Sequence, residues 1–284
     1  SNEAVENTFS GAGRVEFTSP GGSGVGGYYL DNASPSFTGT AVAKAQVRLN
    51  VPDPQAFGTG VIRVESTGQL FLDGSLGRYA TRSLTNLVYL AGNGWLEGAG
   101  QLGAMRIDNG ADFAGSAVLT GNTRFGIWGD TGRGILSGTI SEEGGSFYFQ
   151  KWGPGRLTLS GANTYTGKTH IIDGILVAGV NDVAATSGAL GNGGDIDFAG
   201  GTLEYATGVT QDYSSRIVNS TSAIIVDTNG EEVLWDTALA NTNTGGLTKE
   251  GSGLLRIQAT SDYDGATTIN GGELRIRNVS GSTG

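Results

Sequence analysis

Two carboxylate pairs are the first residues in this chain with spacing suited to chemistry. Asp195/Asp197 and Asp262/Asp264 stand at i, i+2, which on an extended strand puts both side chains of a pair on one face. Clustered aspartates on strands can work as acid and base on a polysaccharide or hold a calcium ion. Neither pair has an adjacent Arg, Lys or His cluster to shift its protonation. Asp195 and Asp197 flank Ile196 among glycines, so with Ile196 inward both carboxylates are expected in water; Asp262 and Asp264 bracket Tyr263 in a turn. His170 is the sole histidine and there is no cysteine, which excludes a His pair, a thiolate metal site and a disulfide framework. Gly191–Asp197 looks like a single calcium-binding nonapeptide, and Asp227-Thr-Asn-Gly230 like the start of an EF-hand loop with its glycine two positions early. Both read most simply as turns. No G-x-S-x-G or phosphate-binding loop occurs. The sequence therefore predicts no catalytic residue, no metal ligand and no cofactor.

Recognition is the alternative chemistry. Tyr28 and Tyr29 lie in a Gly-rich stretch, about 19–32, and Trp128 in Phe125-Gly-Ile-Trp-Gly-Asp130. Aromatic rings on exposed loops can stack on sugars or pack on partner proteins, so these three are the candidate ligand-binding residues. Sequons at Asn32, Asn219 and Asn278 are common accidents.

The elements that would position these residues are repeated. Residues 151–178 align without a gap on 249–276, 98 positions later, with ten of 28 pairs identical, among them Gly153/Gly251, Leu157/Leu255, Tyr165/Tyr263, Gly167/Gly265 and Thr169/Thr267. Positions 157/255, 159/257, 171/269 and 176/274 stay apolar, while Arg156/Leu254, Thr158/Arg256 and His170/Thr268 vary freely between them. That is the period of strands with one buried face, and it places His170 and Trp152 outward. A weaker copy spans about 11–49, where Gly11–Phe17 and Phe37-Thr38-Gly39 stand for the corresponding strand and corner. Ala56-Phe57-Gly58 likewise parallels Ala189-Leu190-Gly191.

The 51 glycines in 284 residues, roughly 18% against the usual ~7%, punctuate runs rich in Val, Ile, Thr and Leu. Only five prolines occur and no segment has convincing helical periodicity. Repetition of short Gly-bounded strands predicts an all-β solenoid, a parallel β-helix of about a dozen coils of ~20–25 residues, as one segment over 1–284. A pair of β-sandwiches is the competing architecture. The net charge of −10 and scattered basic residues exclude nucleic acid as a partner. A thiol-free, acidic, Gly/Thr-rich chain suits an extracellular setting. No leader or run of ~18 apolar residues is visible, and both ends read as cut from something longer.

Gly153-Pro-Gly-Arg-Leu-Thr-Leu-Ser-Gly-Ala-Asn-Thr-Tyr-Thr-Gly-Lys-Thr169, continuing to Gly174-Ile-Leu176, resembles the autotransporter-associated β-strand repeat. The copy from Gly251 to Leu274 resembles it too, departing at Ala259, Ser261 and Asp262. The resemblance implies a right-handed parallel β-helical passenger, displayed on or released from a bacterial surface after passage through an outer-membrane β-barrel. It implies no substrate. Three readings follow: an adhesin or presentation stalk meeting a host or environmental ligand, protein or glycan; a polysaccharide-binding or polysaccharide-degrading module; and a structural spacer or self-associating biofilm component.

Overall fold

Strands form wherever the alternation of apolar and variable residues runs for three or more positions. Phe149–Trp152, Arg156–Leu159 and Thr169–Ile171 all bury every second side chain, because successive residues of an extended chain point to opposite faces. The computed structural model describes residues 2–19, 26–76, 78–98, 100–129, 131–184 and 186–276. Of the sequence expectations, part of the 19–32 stretch, Asp130 and the Asn278 sequon lie outside them.

The strands stack in parallel into a β-solenoid of about 11 turns. At ~4.8 Å per turn this is a rod on the order of 50 Å long. Among the described residues no α-helix occurs, only three short 3-10 turns such as Ser214–Arg216. The parallel solenoid, rather than two sandwiches, is thus the architecture. One file of strands runs from Asn2–Ala4 through Gly26–Tyr29, Val47–Val51, Gln69–Asp73 and Met105–Asp108, then through the end of Ala117–Gly126 to Phe149–Trp152, Thr169–Ile171 and Ile196–Phe198. A second holds Arg14–Phe17, Thr40–Ala43, Val61–Val64, Val88–Gly92, the start of Ala117–Gly126 and Ile140–Glu142. A third begins at Ala111–Phe113 and continues through Arg133–Leu136, Arg156–Leu159, Ile175–Ala178 and Thr202–Tyr205.

Paired residues are 19 to 27 apart at most steps, such as Arg156 with Ile175 and Thr169 with Ile196. The step widens to 29 between Val88 and Ala117 and to 35 between Leu72 and Ile107. Both long steps span an inserted hairpin, Leu96–Glu97 with Gly100–Gln101, which is antiparallel where the strand files are parallel. The hairpin lies over the first file: Arg48 stacks on Trp95 and pairs with Glu97, which also receives Arg106 at 3.3 Å.

The interior is a set of ladders perpendicular to the strands. Leu49, Leu70, Met105, Phe125, Lys151, Ile171 and Phe198 follow one another across successive coils. Phe125, Phe149 and Tyr165 stack at 4.7 and 5.7 Å between ring centroids. Phe9 packs on Phe17, Phe37 and Phe57 in the N-terminal coils. The two sequence copies do not occupy the same files. In the first, Phe149–Trp152 and Thr169–Ile171 pair in the first file; their counterparts Leu247–Glu250 and Thr267–Ile269 pair in the third, and Leu254–Ile257 with Glu273–Ile276 form a new one. The shift arises over 206–223, where the first file is continued only by the Ile196–Ile217 bridge and Ile224–Asp227 joins Thr202–Tyr205 instead.

Candidate functional site

The residues shared by the two copies build one corner of a coil. Lys151 and Lys249 are fully buried on the inward phase of their strands. The Lys151 ammonium donates to the carbonyls of Trp152 (3.4 Å), Gly153 (2.6 Å) and Asp173 (2.9 Å), and Lys249 to those of Glu250 (2.5 Å), Gly251 (3.0 Å) and Gly271 (3.4 Å). Three N–H groups thus meet three carbonyls. The glycine two residues on makes this possible: Gly153 and Gly251 adopt φ of 85° and 64°, where a side chain is disfavoured, and fold the chain back over the amine. Burial pulls the Lys151 amine down from 10.5 to about 7, with the Asp173 carboxylate opposing; burial lowers Lys249 in the same direction. A second shared bond joins Tyr165 to Thr169 at 2.7 Å and Tyr263 to Thr267 at 2.5 Å. The repeat signature is therefore scaffold. The lysines were missed in the sequence, although identity in both copies on the apolar phase marked them as inward.

The carboxylate pairs behave differently from each other. Asp262 and Asp264 are both exposed. Ile196 points inward, as its alternation predicts, and Asp195 is exposed. Asp197, expected in water, is instead buried, because His170 and Lys168 of the neighbouring coil close on it: His170 Nδ1 bonds Oδ1, and the Lys168 ammonium lies 3.1 Å from Oδ2. The sequence separation of 27 residues hid that contact, and only the coil register reveals it. Further along the rod Asp182 is held above the usual carboxylate range by burial, with Tyr213 and Arg216 as its polar neighbours.

Of the three aromatic candidates, Tyr28 and Tyr29 lie on the strand Gly26–Tyr29 and are half-buried. Tyr28 packs on Phe17 at 5.2 Å and donates its hydroxyl to Thr18 O. Trp128 stands outside the coil, 44% exposed, its backbone N–H fixed by Asp108. Tyr148, not singled out in the sequence, is equally open at 42%. The three sites do not converge. The surface carries shallow grooves of 220 to 470 Å³, and among the described residues no group of three or more His, Asp or Glu comes together as a metal site would require.

Parallel coils, a repeated structural corner and side chains spread along the outer faces define a scaffold solenoid. Within that class, the chain carries two passenger-associated transport repeats, matched at residues 149–178 and 247–276. It is related to an adhesin autotransporter, "Adhesin BmaC autotransporter" of Brucella suis biovar 1 (strain 1330), with 32% identity over 170 residues. That match covers 56% of this chain and 5% of the relative, so the chain spans a small fraction of the relative's length. No solved structure matches.

Proposed function

We propose that this chain is a presentation segment of a surface-displayed or secreted passenger, holding ligand-binding side chains on the outside of a rigid rod. It would be carried out through the translocating β-barrel of a longer parent protein and act outside the cell on a host or environmental surface. The observation that carries this reading is the division of labour between faces: the two transport repeats share their inward residues and differ almost throughout on the outside. Kinship with an adhesin supports it. Stacked coils supply stiffness cooperatively, since each is stabilised mainly by its neighbours. Trp128 is the most exposed of the aromatic candidates and the proposed contact among them, with Tyr29 and Tyr28 behind it.

The test is adhesion of beads coated with the chain to cultured cells, matrix proteins and glycan-coated surfaces. Adhesion above an albumin-coated control is expected. Trp128→Ala should weaken it without changing the unfolding temperature, because the ring leaves no cavity when removed from the surface. Uniform failure to adhere by folded protein would replace this reading with that of a spacer.

A further inference from the structure

The strand Phe149–Trp152 and the residue before it turn Phe149 and Lys151 inward and Tyr148, Gln150 and Trp152 outward. Tyr148 and Trp152 are thereby about 13 Å apart on one face, with the Gln150 amide between them. The coil on one side contributes Arg124, the coil on the other Lys168 and His170. Arg124 stacks on the Trp152 ring at 4.4 Å, donates through Nη1 to Gln101 O at 2.9 Å and reaches Gln150 Oε1 through Nε at 3.4 Å. Its guanidinium is thus fixed in place.

Its charge is not answered. Of the described arginines that are not exposed, Arg48, Arg106, Arg156, Arg216 and Arg256 each meet a carboxylate within 4 Å. Arg124 is half-buried and no carboxylate among the described residues reaches it. Burial disfavours its charged form. A partly desolvated cation without a counter-charge, on a chain of net charge −10, is a site for an incoming anion.

The second copy shows that the fold does not require these side chains. Its strand Leu247–Glu250 and the residue before it hold Gly246, Thr248 and Glu250 where the first has Tyr148, Gln150 and Trp152. Ala266 and Thr268 stand for Lys168 and His170, and Ile225, which pairs with Thr248, stands for Arg124. The same parallel pairing forms without the aromatic and cationic set. Lys168 and His170 serve the buried Asp197, and Arg124 also ties down the hairpin at Gln101, whereas the open Tyr148 ring and the unanswered Arg124 charge have no such use within the scaffold.

We propose that this strip binds oligosaccharides bearing a carboxylate, such as sialyl or uronate sugars. The Tyr148 ring would take the C–H face of a pyranose, Arg124 the carboxylate, and Gln150 and Lys168 the hydroxyls. Tyr148 and Arg124 are diagonal across neighbouring strands, with Cβ atoms about 7 Å apart. The guanidinium leans away on to Trp152, so a ligand of at least two sugars is needed to reach from the Tyr148 ring to it. An open, flat strip of donors beside one platform suits a polyhydroxyl ligand. An acidic peptide would need an apolar pocket for its side chains, and the strip has none. The site rests on the adhesive reading above, and supplies its ligand class.

The experiment is binding of the whole chain to an array of immobilised sialyl and uronate oligosaccharides and their neutral counterparts. Acidic sugars should bind about tenfold better than neutral ones or more, weakening as salt is raised. Arg124→Gln and Tyr148→Ala should each lose about tenfold, and Gln150→Thr, which copies the second repeat and leaves the Asp197 pairing intact, should weaken binding with the unfolding temperature kept. Absence of acidic-sugar binding by folded protein, equal binding of neutral sugars, undiminished binding by Arg124→Gln, or full competition by an acidic peptide each overturns the assignment. Coated beads that still adhere to cells while the array stays silent would sink this site and leave the adhesive reading standing; failure of both would sink both.

Discussion

A lysine on the inward phase of a strand is the least expected residue of this solenoid, and its protonation makes a measurable claim. In the folded chain the Lys151 amine is held at about 7 against an ordinary 10.5. Between those values the unfolded chain binds a proton that the folded chain does not. Stability should therefore rise with pH through this window, by at most about 1.4 kcal/mol per pH unit for one such site. Lys249, lowered by the same cause, works in the same direction. Urea unfolding at pH 7, 8 and 9 reads the slope, and Lys151→Met should flatten its share of it. A flat profile for the unaltered chain would mean that the three carbonyls keep the ammonium charged in the fold. The lysine's inward position was legible in the sequence, since it is identical in both copies while its neighbours at 152/250 differ. Its partners were not: the Asp173 carbonyl lies 22 residues away and is brought in by the next coil.

At the scale of elements, what could be read was what repeats within one strand. The alternation 157, 159, 176, 178 predicts the buried side of Arg156–Leu159 and Ile175–Ala178, and all four residues are buried. What could not be read was any feature needing the register between coils, such as His170 with Asp197, or any element occurring once. The hairpin Leu96–Glu97/Gly100–Gln101 is of that second kind: its glycines look like those of every other corner, and only pairing shows that it doubles back. Its attachment is electrostatic. Glu97 lies between Arg48 and Arg106, with side chains 11 to 18% exposed, and Trp95 packs beneath. Glu97→Ala removes the carboxylate and leaves two partly buried guanidinium groups facing each other, with Asp108 still serving Arg106. The expected loss is about 3 kcal/mol in denaturant unfolding, because an uncompensated buried charge costs more than a missing contact. A loss under ~0.5 kcal/mol would show that solvent already screens the cluster. The corner glycines make a steric claim as well: a Cβ on Gly167 would stand 1.9 Å from Phe147 O, so Gly167→Ala should force the coils apart and lower the unfolding temperature.

Over the whole molecule the solenoid makes position along the rod matter as much as sequence. The two repeats share inward chemistry, yet their surroundings differ. Ile171, Leu176 and Ala178 are completely buried between coils on both sides. Their counterparts Ile269 and Ile276 are 54% and 51% exposed, and the strands Thr267–Ile269 and Glu273–Ile276 pair on one side only within the described residues. In a stack stabilised by nearest-neighbour interfaces, a coil covered on one face keeps about half of the interfacial contribution that holds an internal coil. A further coil added after it would restore the rest, so the comparison belongs to this 284-residue segment taken alone. Local opening should then be graded. Amides of Thr267–Ile269 and Glu273–Ile276 should exchange with solvent well before those of Thr169–Ile171 and Ile175–Ala178, despite the common motif. Native-state hydrogen exchange, followed peptide by peptide, compares the two copies inside one molecule under one condition. Equal protection would mean that each repeat is held chiefly by its own lysine corner and Tyr–Thr bond. A protection gradient would show that neighbouring coils hold it, which is the cooperativity a rod needs if its outer faces are to stay free to change from one coil to the next.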